Sequence, residues 1–318
     1  MNFKKKAILC SLVGAIILTT PALSTAAANK TDTNFPDTVG HSESARVAEN
    51  QESLSAAGVS RAGVMPSGSY KMNVNINGRR VLDGRVFGIG STTYVPLFKF
   101  CDWLGVFSYS YDKKSKLATV SGDGLQISAK EGTLYIVANG RYFYTVDEII
   151  EVAGEIYVPI RPITKALNSK LEWSNSDGEF KVYSGDTSLL PGASRVYRDD
   201  EIYWLARIIN AEAGGEPMQG KLAVGNVILN RVRSSAFPNT IYSVIFDRRY
   251  GVQFSPTANG TIYKTPSAES VIAAKMCIEG YSLSSDILYF FNPKTSPSNW
   301  ISKNRQYAFT VKNHAFYY

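Results

Sequence analysis

Hydrophobic and polar residues are distributed very differently along this chain. An apolar run, Ala7–Leu18, follows Lys4-Lys5-Lys6. A polar, alanine-rich stretch then reaches Ser69. Short strand-like runs broken by Asn-Gly turns occupy the middle. Beyond about residue 195 the apolar positions take on helical spacing. There Ile202, Leu205 and Ile209 repeat at steps of 3 and 4 behind Asp199-Asp200-Glu201, an acidic opening that suits a helix start. The next step on that apolar face lands on Glu212, at the last turn. Gly214-Gly215 reads as the helix stop. Pro217 opens a second helix with its stripe at Met218, Leu222, Gly225, Leu229 and Val232, and Gly225 would let another helix come close. On a later helix Cys277 keeps register with Ser270, Ala274 and Tyr281, as a small buried hydrophobe does.

The N-terminus has a basic start, a short apolar stretch and then Ser24-Thr25-Ala26-Ala27-Ala28. This is the pattern of a secretory signal peptide, assigned to residues 1–26. The apolar run falls short of the ~20 residues that a spanning helix needs, so no stable membrane span is expected after removal of the leader. Residues 27–69 hold a single aromatic, Phe35, and read as a flexible linker, with a short helix allowed near 49–57.

Residues 70–187 contain an internal repeat. Tyr94-Val95-Pro96-Leu97 returns as Tyr157-Val158-Pro159-Ile160, and Leu104 returns as Leu167 in the same register, about 63 residues on. Asn77-Gly78-Arg79 corresponds to Asn139-Gly140-Arg141 with one residue of slippage. Each unit predicts a strand, an Asn-Gly hairpin, a strand, and a proline-led short helix. The fold class expected for this region is a duplicated α+β module. Tyr94, Trp103, Tyr157 and Trp173 recur with the pattern, which favours packing in its core.

Composition narrows the chemistry. The chain has 318 residues with 2 His and 3 Cys, too few for a zinc cluster or a disulfide scaffold. No metal or other cofactor is expected. Catalysis would have to use carboxylates, hydroxyls, or one Cys with one His. The formal charge is +7, and loss of Lys4, Lys5 and Lys6 with the leader lowers it to +4. No basic stripe suggests nucleic acid. A weakly cationic exported protein suits an anionic polymer such as a bacterial wall.

Glu212 stands out on this background. An apolar face penalises its charged form, and so does the negative end of a helix dipole. A carboxylic acid kept protonated near neutral pH is a proton donor for a glycosidic oxygen. Its alternative role is an ion pair with Arg207 or Arg231.

Two resemblances sit on these motifs. Residues 70–187 resemble the copper amine oxidase-like N-terminal domain, although the region lacks the histidines copper would need. This implies a wall-contacting or protein-docking module, or a spacer. Residues 195–318 resemble the spore cortex-lytic, cell-wall hydrolase family. The resemblance is carried by Ile209-Asn210-Ala211-Glu212-Ala213-Gly214-Gly215-Glu216-Pro217, Val227-Ile228-Leu229-Asn230-Arg231-Val232, Gln253-Phe254-Ser255-Pro256, Tyr289-Phe290-Phe291-Asn292-Pro293 and His314-Ala315-Phe316-Tyr317. It implies a mainly α, lysozyme-like lytic transglycosylase acting on peptidoglycan outside a Gram-positive, spore-forming cell, with Glu212 as the catalytic acid. Where many members carry Ala-Arg-Gly-Glu, this chain has Ala213-Gly214-Gly215-Glu216, so a role of that Arg is missing. Gln253, Ser255, Tyr289 and Asn292 are the substrate-binding candidates, with Phe291 and Trp300 behind them. Glu216 is read as a site-shaping residue. The competing classes are a non-catalytic wall-binding or spore-assembly protein and a wall peptidase using Cys277 and His314.

Overall fold

The structure, a computed structural model, describes residues 65–318 apart from 82, 83, 106, 123, 187–189 and 297. The expected leader, the expected linker up to residue 64 and the helix near 49–57 lie outside the described residues. Among the described residues no helix is long and apolar enough to cross a membrane.

The first half runs β1 (Tyr70–Lys71), β2 (Val74–Ile76), β3 (Arg79–Val81), β4 (Phe87–Ile89), β5 (Thr92–Pro96), α1 (Leu97–Leu104), β6 (Ser108–Asp112), β7 (Leu117–Gly122), β8 (Leu125–Lys130), β9 (Tyr135–Ala138), β10 (Arg141–Tyr144), β11 (Ile150–Val152), β12 (Glu155–Pro159), α2 (Ile160–Ala166), β13 (Lys170–Ser174) and β14 (Glu179–Tyr183). The sheets have strand orders β1-β4-β5-β12-β11, β10-β9-β8-β7-β6 and β13-β14-β2-β3. Asn77-Gly78 and Asn139-Gly140 both take positive φ, the conformation that closes a two-residue hairpin. They join β2 to β3 and β9 to β10. The two Tyr-Val-Pro strands lie side by side, β12 antiparallel to β5, with Val158 opposite Val95. Pro96 and Pro159 each end a strand and immediately precede a helix, where a missing N–H costs nothing.

Val95, Phe100, Val120, Ile127, Val158 and Ile163 are fully buried between these sheets and helices. Tyr94 and Tyr157 pack with Phe87 in a smaller cluster. Trp173 departs from the core expectation. It lies on edge strand β13, is 45% exposed, and donates its Nε1–H to Asn175 Oδ1 at 2.9 Å.

The second half comprises α3 (Ala193–Val196), α4 (Asp199–Ala213), α5 (Met218–Arg233), α6 (Ile241–Ile245), α7 (Pro256–Asn259), α8 (Ala268–Ile278), β15 (Tyr289–Phe291), α9 (Trp300–Asn304), β16 (Tyr307–Val311) and β17 (His314–Tyr317). The sheet β15-β17-β16 was not foreseen from the helical pattern. Helices α4 and α8 pack on α5 and on each other. A Cβ on Gly225 would come within 2.7 Å of Cys277 Sγ and 3.0 Å of Ile209 Cδ1, so the close approach read from the stripe is real. Helix α4 ends at Ala213 with Gly214 as its cap, in line with the Gly214-Gly215 stop. Gly214 stays right-handed at φ −54, and a Cβ there would sit 2.6 Å from the Asn210 carbonyl oxygen. Close packing against its own helix explains this glycine.

The two halves are joined by β10, α2 and the end of α8. The Arg141 guanidinium donates to both Glu279 carboxylate oxygens, at 2.8 and 2.7 Å, with both side chains nearly buried. Lys165 Nζ donates to the Glu279 carbonyl at 2.6 Å. Tyr144, the last residue of β10, packs its ring against Tyr281 at 4.3 Å, tilted by 59°, within the helical core.

Candidate active site

Cleft geometry follows from α5. This helix is buried on nearly every side, yet it carries Asn226, Asn230 and Arg231 in its buried surface. Buried polar groups need partners, and these find theirs in the chain after α8. Asn226 Nδ2 donates to the Tyr281 carbonyl and its Oδ1 accepts from Leu283 N–H, at 2.8 and 2.9 Å. Asn230 Nδ2 donates to the carbonyls of Ser284 and Ile287, both at 3.0 Å. Arg231 Nε donates to the Leu288 carbonyl at 2.8 Å. The segment so clamped delivers β15 to the mouth of a cleft of about 1220 Å³. Glu212, Glu216, Gln253, Ser255, Tyr289 and Asn292 all line this one cleft. Phe291 and Trp300 line it too.

Glu212 sits in the last turn of α4, one step beyond the buried Ile209. Burial pushes its carboxyl from an ordinary 4.5 up to about 7, and no neighbouring cation offsets the effect. The alternative ion pairs do not form. Arg207 lies over the Tyr203 ring at 3.9 Å. Arg231 is boxed between the rings of Phe237, Phe254 and Tyr289, and its own desolvation pulls it down to about 10.

Glu216 is treated in the opposite way. Burial acts most strongly and raises its pKa, but Asn313 opposes this by donating its Nδ2–H to Oε1 at 2.8 Å and its backbone N–H to Oε2 at 3.4 Å. His314 and Lys312 add favourable charge, and the net shift is downward. Lys221, itself buried, fixes the Glu216 carbonyl at 2.6 Å. His314 Nδ1 lies 3.9 Å from Glu216 Oε1, and burial lowers the pKa of this imidazole. The cleft thus holds one carboxyl biased toward its protonated form and one biased toward its ionised form. Such a division sets up separate acid and anionic roles in a single site.

The remaining candidates differ in how firmly they are held. Tyr289 has Arg305 over its ring at 4.6 Å, and Arg305 also lies 5.2 Å from the Trp300 ring. Asn292 Oδ1 accepts from Lys294 N–H at 3.0 Å. Gln253 Nε2 reaches the Gly251 carbonyl at 3.4 Å. Ser255 is exposed just ahead of α7.

The sequence offered Arg231 only as an ion-pair partner for Glu212, and Arg249 and Arg305 not at all, yet all three line the cleft. Arg231 carried a usable signal, because it lies beside the apolar stripe positions Leu229 and Val232. Arg249 and Arg305 come from irregular segments with no periodicity to read. Arg249 pairs with Asp247 at 2.9 Å. Cys277 is fully buried and packs against Gly225, while His314 faces the cleft. Burial pushes the thiol far above its ordinary range, which withholds the thiolate that a peptidase nucleophile requires.

Comparison with known proteins places these features. The Cell Wall Hydrolase family model matches residues 215–317, so Glu216 falls inside the matched stretch and Glu212 just ahead of it. The Copper amine oxidase N-terminal domain model matches residues 75–182, the β-rich half. The chain is 42% identical over 105 residues to a Spore cortex-lytic enzyme of Bacillus cereus, covering 33% of this chain and 39% of that protein. The same enzyme of Oceanobacillus iheyensis is 38% identical over 130 residues and is covered to 46% of its length. The chain thus spans less than half of these relatives. The catalytic domain of the germination-specific lytic transglycosylase SleB from Bacillus anthracis shows 37% identity, with 41% of this chain and 100% of that chain covered, at a TM-score of 0.36. Cell wall hydrolase CwlJ of Oceanobacillus iheyensis is 32% identical over 128 residues, which are 38% of this chain and 88% of that protein. With nearly the whole of that smaller relative matched, the chain belongs to the cell wall hydrolase family.

Proposed function

We propose that this protein is an exported peptidoglycan hydrolase of the lytic transglycosylase type, with Glu212 as its general acid and base. The observation that carries this reading is Glu212 itself, a carboxyl raised to about 7 by burial at the edge of a cleft large enough for a glycan strand. In the first step Glu212 protonates the glycosidic oxygen between N-acetylmuramic acid and N-acetylglucosamine, and the C1–O bond breaks. The muramyl acetamide supports the oxocarbenium-like centre. Ionised Glu212 then takes the proton of the muramyl 6-hydroxyl as that oxygen bonds to C1, closing a 1,6-anhydro ring and regenerating the acid. One group serves twice and no water is consumed.

Glu216 shapes the site as a fixed negative charge. Tyr289 offers a ring face to a sugar, and Gln253, Ser255 and Asn292 offer hydrogen-bonding groups. The helices around α5 make the lysozyme-like scaffold of this activity, and residues 70–187 are a duplicated module that contacts wall or protein. Signal-directed export brings the enzyme to the cell wall or spore cortex, and the relatives named for spore cortex and germination favour the cortex. A turbidity assay on decoated spores tests the reading. The wild-type protein lowers turbidity and Glu212→Gln does not. Wild-type protein that binds insoluble peptidoglycan without lysing it would instead favour a wall-binding protein.

A further inference from the structure

The joint between the two halves encloses a second pocket of about 410 Å³, formed by β5, β10, α2 and the end of α8. We propose that it is a binding site for a sugar that carries a carboxylate. Its volume falls within the range of small-ligand pockets.

Three observations on the pocket lining point to this ligand class. Tyr281 supplies partly exposed aromatic surface beside Pro159 and Pro162, which suits the apolar C–H face of a pyranose. Thr145 is 2% exposed, and its Oγ1 has no hydrogen-bond partner among the described residues. A buried hydroxyl left without a partner is costly, and a ligand hydroxyl would satisfy it. Arg161 and Lys165 are exposed on the α2 side of the pocket. The one acidic residue in the lining, Glu279, is already matched by Arg141, so the wall is positive toward a ligand.

Backbone strain marks the same wall. Val146 has φ 67, and Asp147 N–H donates to the Thr145 carbonyl at 2.8 Å across it. A β-branched residue rarely occupies such a γ-turn. The turn is held from outside: Thr92 Oγ1 donates to the Asp147 carboxylate, and Tyr94 O–H donates to the Glu148 carbonyl at 3.0 Å. Strain maintained by neighbours accompanies ligand sites.

A sugar fits this setting better than a peptide strand. β5 is paired on both sides, by β4 and β12. The outer edge of β10 is covered by α8 and by Tyr197, whose oxygen accepts the Tyr142 N–H at 2.9 Å. Among the described residues no free main-chain edge is left at the pocket for strand addition.

This pocket is separate from the cleft, and hydrogen-exchange mass spectrometry of the full chain tests its occupancy. The probes are N-acetylmuramic acid and N-acetylglucosamine, which share a ring but differ in the lactyl carboxylate. N-acetylmuramic acid should protect segments 141–148 and 279–283. N-acetylglucosamine and the Arg161→Glu variant should each weaken that response about tenfold, and Arg161→Lys should retain it. Protection confined to 289–305 would place the ligand in the cleft and overturn the proposal. Equal responses to the two sugars would overturn it, as would an unaltered response in Arg161→Glu. Tighter binding of acetyl-D-alanyl-D-alanine than of N-acetylmuramic acid would make this a peptide site and also overturn it.

Discussion

Arg141 and Glu279 lie 138 residues apart in the chain and meet through two parallel hydrogen bonds at the join between the halves. The β-rich half is therefore no loosely tethered appendage of the helical half. Removing one member of a buried pair strands the other charge, at a cost of about 3–5 kcal/mol. Arg141→Met and Glu279→Gln should each destabilise the protein by roughly that amount, and the double variant by clearly less than the sum of the two. Urea unfolding of the singles and the double gives the coupling. Strict additivity would mean that the pair does not hold the halves together.

Gly225 should tolerate no side chain while Cys277 is opposite. An added methyl group would meet Cys277 Sγ at 2.7 Å. Overpacking of this kind costs about 1–3 kcal/mol. Thermal unfolding should show Gly225→Ala destabilised and Gly225→Ala/Cys277→Ala partly recovered, because the sulfur is the nearest obstacle. No recovery in the double variant would shift the blame to Ile209, at 3.0 Å.

Burial of Glu212 carries a pH signature. Its folded pKa of about 7 lies above the ordinary 4.5. The folded state therefore binds the proton more tightly than the unfolded state does. Protonated Glu212 is tolerated at low pH, and stability falls as pH rises from about 4.5 to about 7. Glu212→Gln should remove this penalty. At pH 8 the variant should be the more stable protein by up to about 3 kcal/mol, and the advantage should vanish near pH 4.5. Denaturant melts at the two pH values decide it. A pH-independent difference would contradict a partly buried carboxyl without a cationic partner among the described residues.

Asn313 should control the acid limb of activity. It supplies the hydrogen bonds that keep Glu216 ionised against burial. In Asn313→Leu burial acts unopposed by those bonds, and the Glu216 pKa rises. Activity that depends on ionised Glu216 should then begin to fail at a higher pH on the acid side. The pH–rate profiles of wild type and variant should differ on that limb and coincide on the alkaline limb. Identical acid limbs would remove Glu216 from the working site.

How legible all this was in the sequence varied by element. The helix carrying Glu212 could be read because its apolar steps at Ile202, Leu205 and Ile209 are regular and end on a charge. The Asn-Gly hairpins could be read because only a few residue types accept positive φ. The sheet of β15, β16 and β17 could not, since its strands are short and β15 and β17 are unbroken runs of apolar and aromatic residues with no alternation. The contrast between Glu212 and Glu216 was only half visible. Helical periodicity isolated Glu212, but Asn313 reaches Glu216 from 97 residues away. The join at Arg141, Lys165 and Glu279 left no local trace. Each of these charged residues reads as ordinary surface in its own segment, and only the folded chain brings them together with Tyr281.

If Glu212 acts alone, first as acid and then as base, its products carry a chemical mark. Mass spectrometry of glycan fragments released from cortex peptidoglycan by the full chain reads that mark. Muramyl ends should be in the 1,6-anhydro form, with release abolished in Glu212→Gln. Fragments bearing only hydrated reducing ends, or undiminished release by Glu212→Gln, would contradict this role of Glu212.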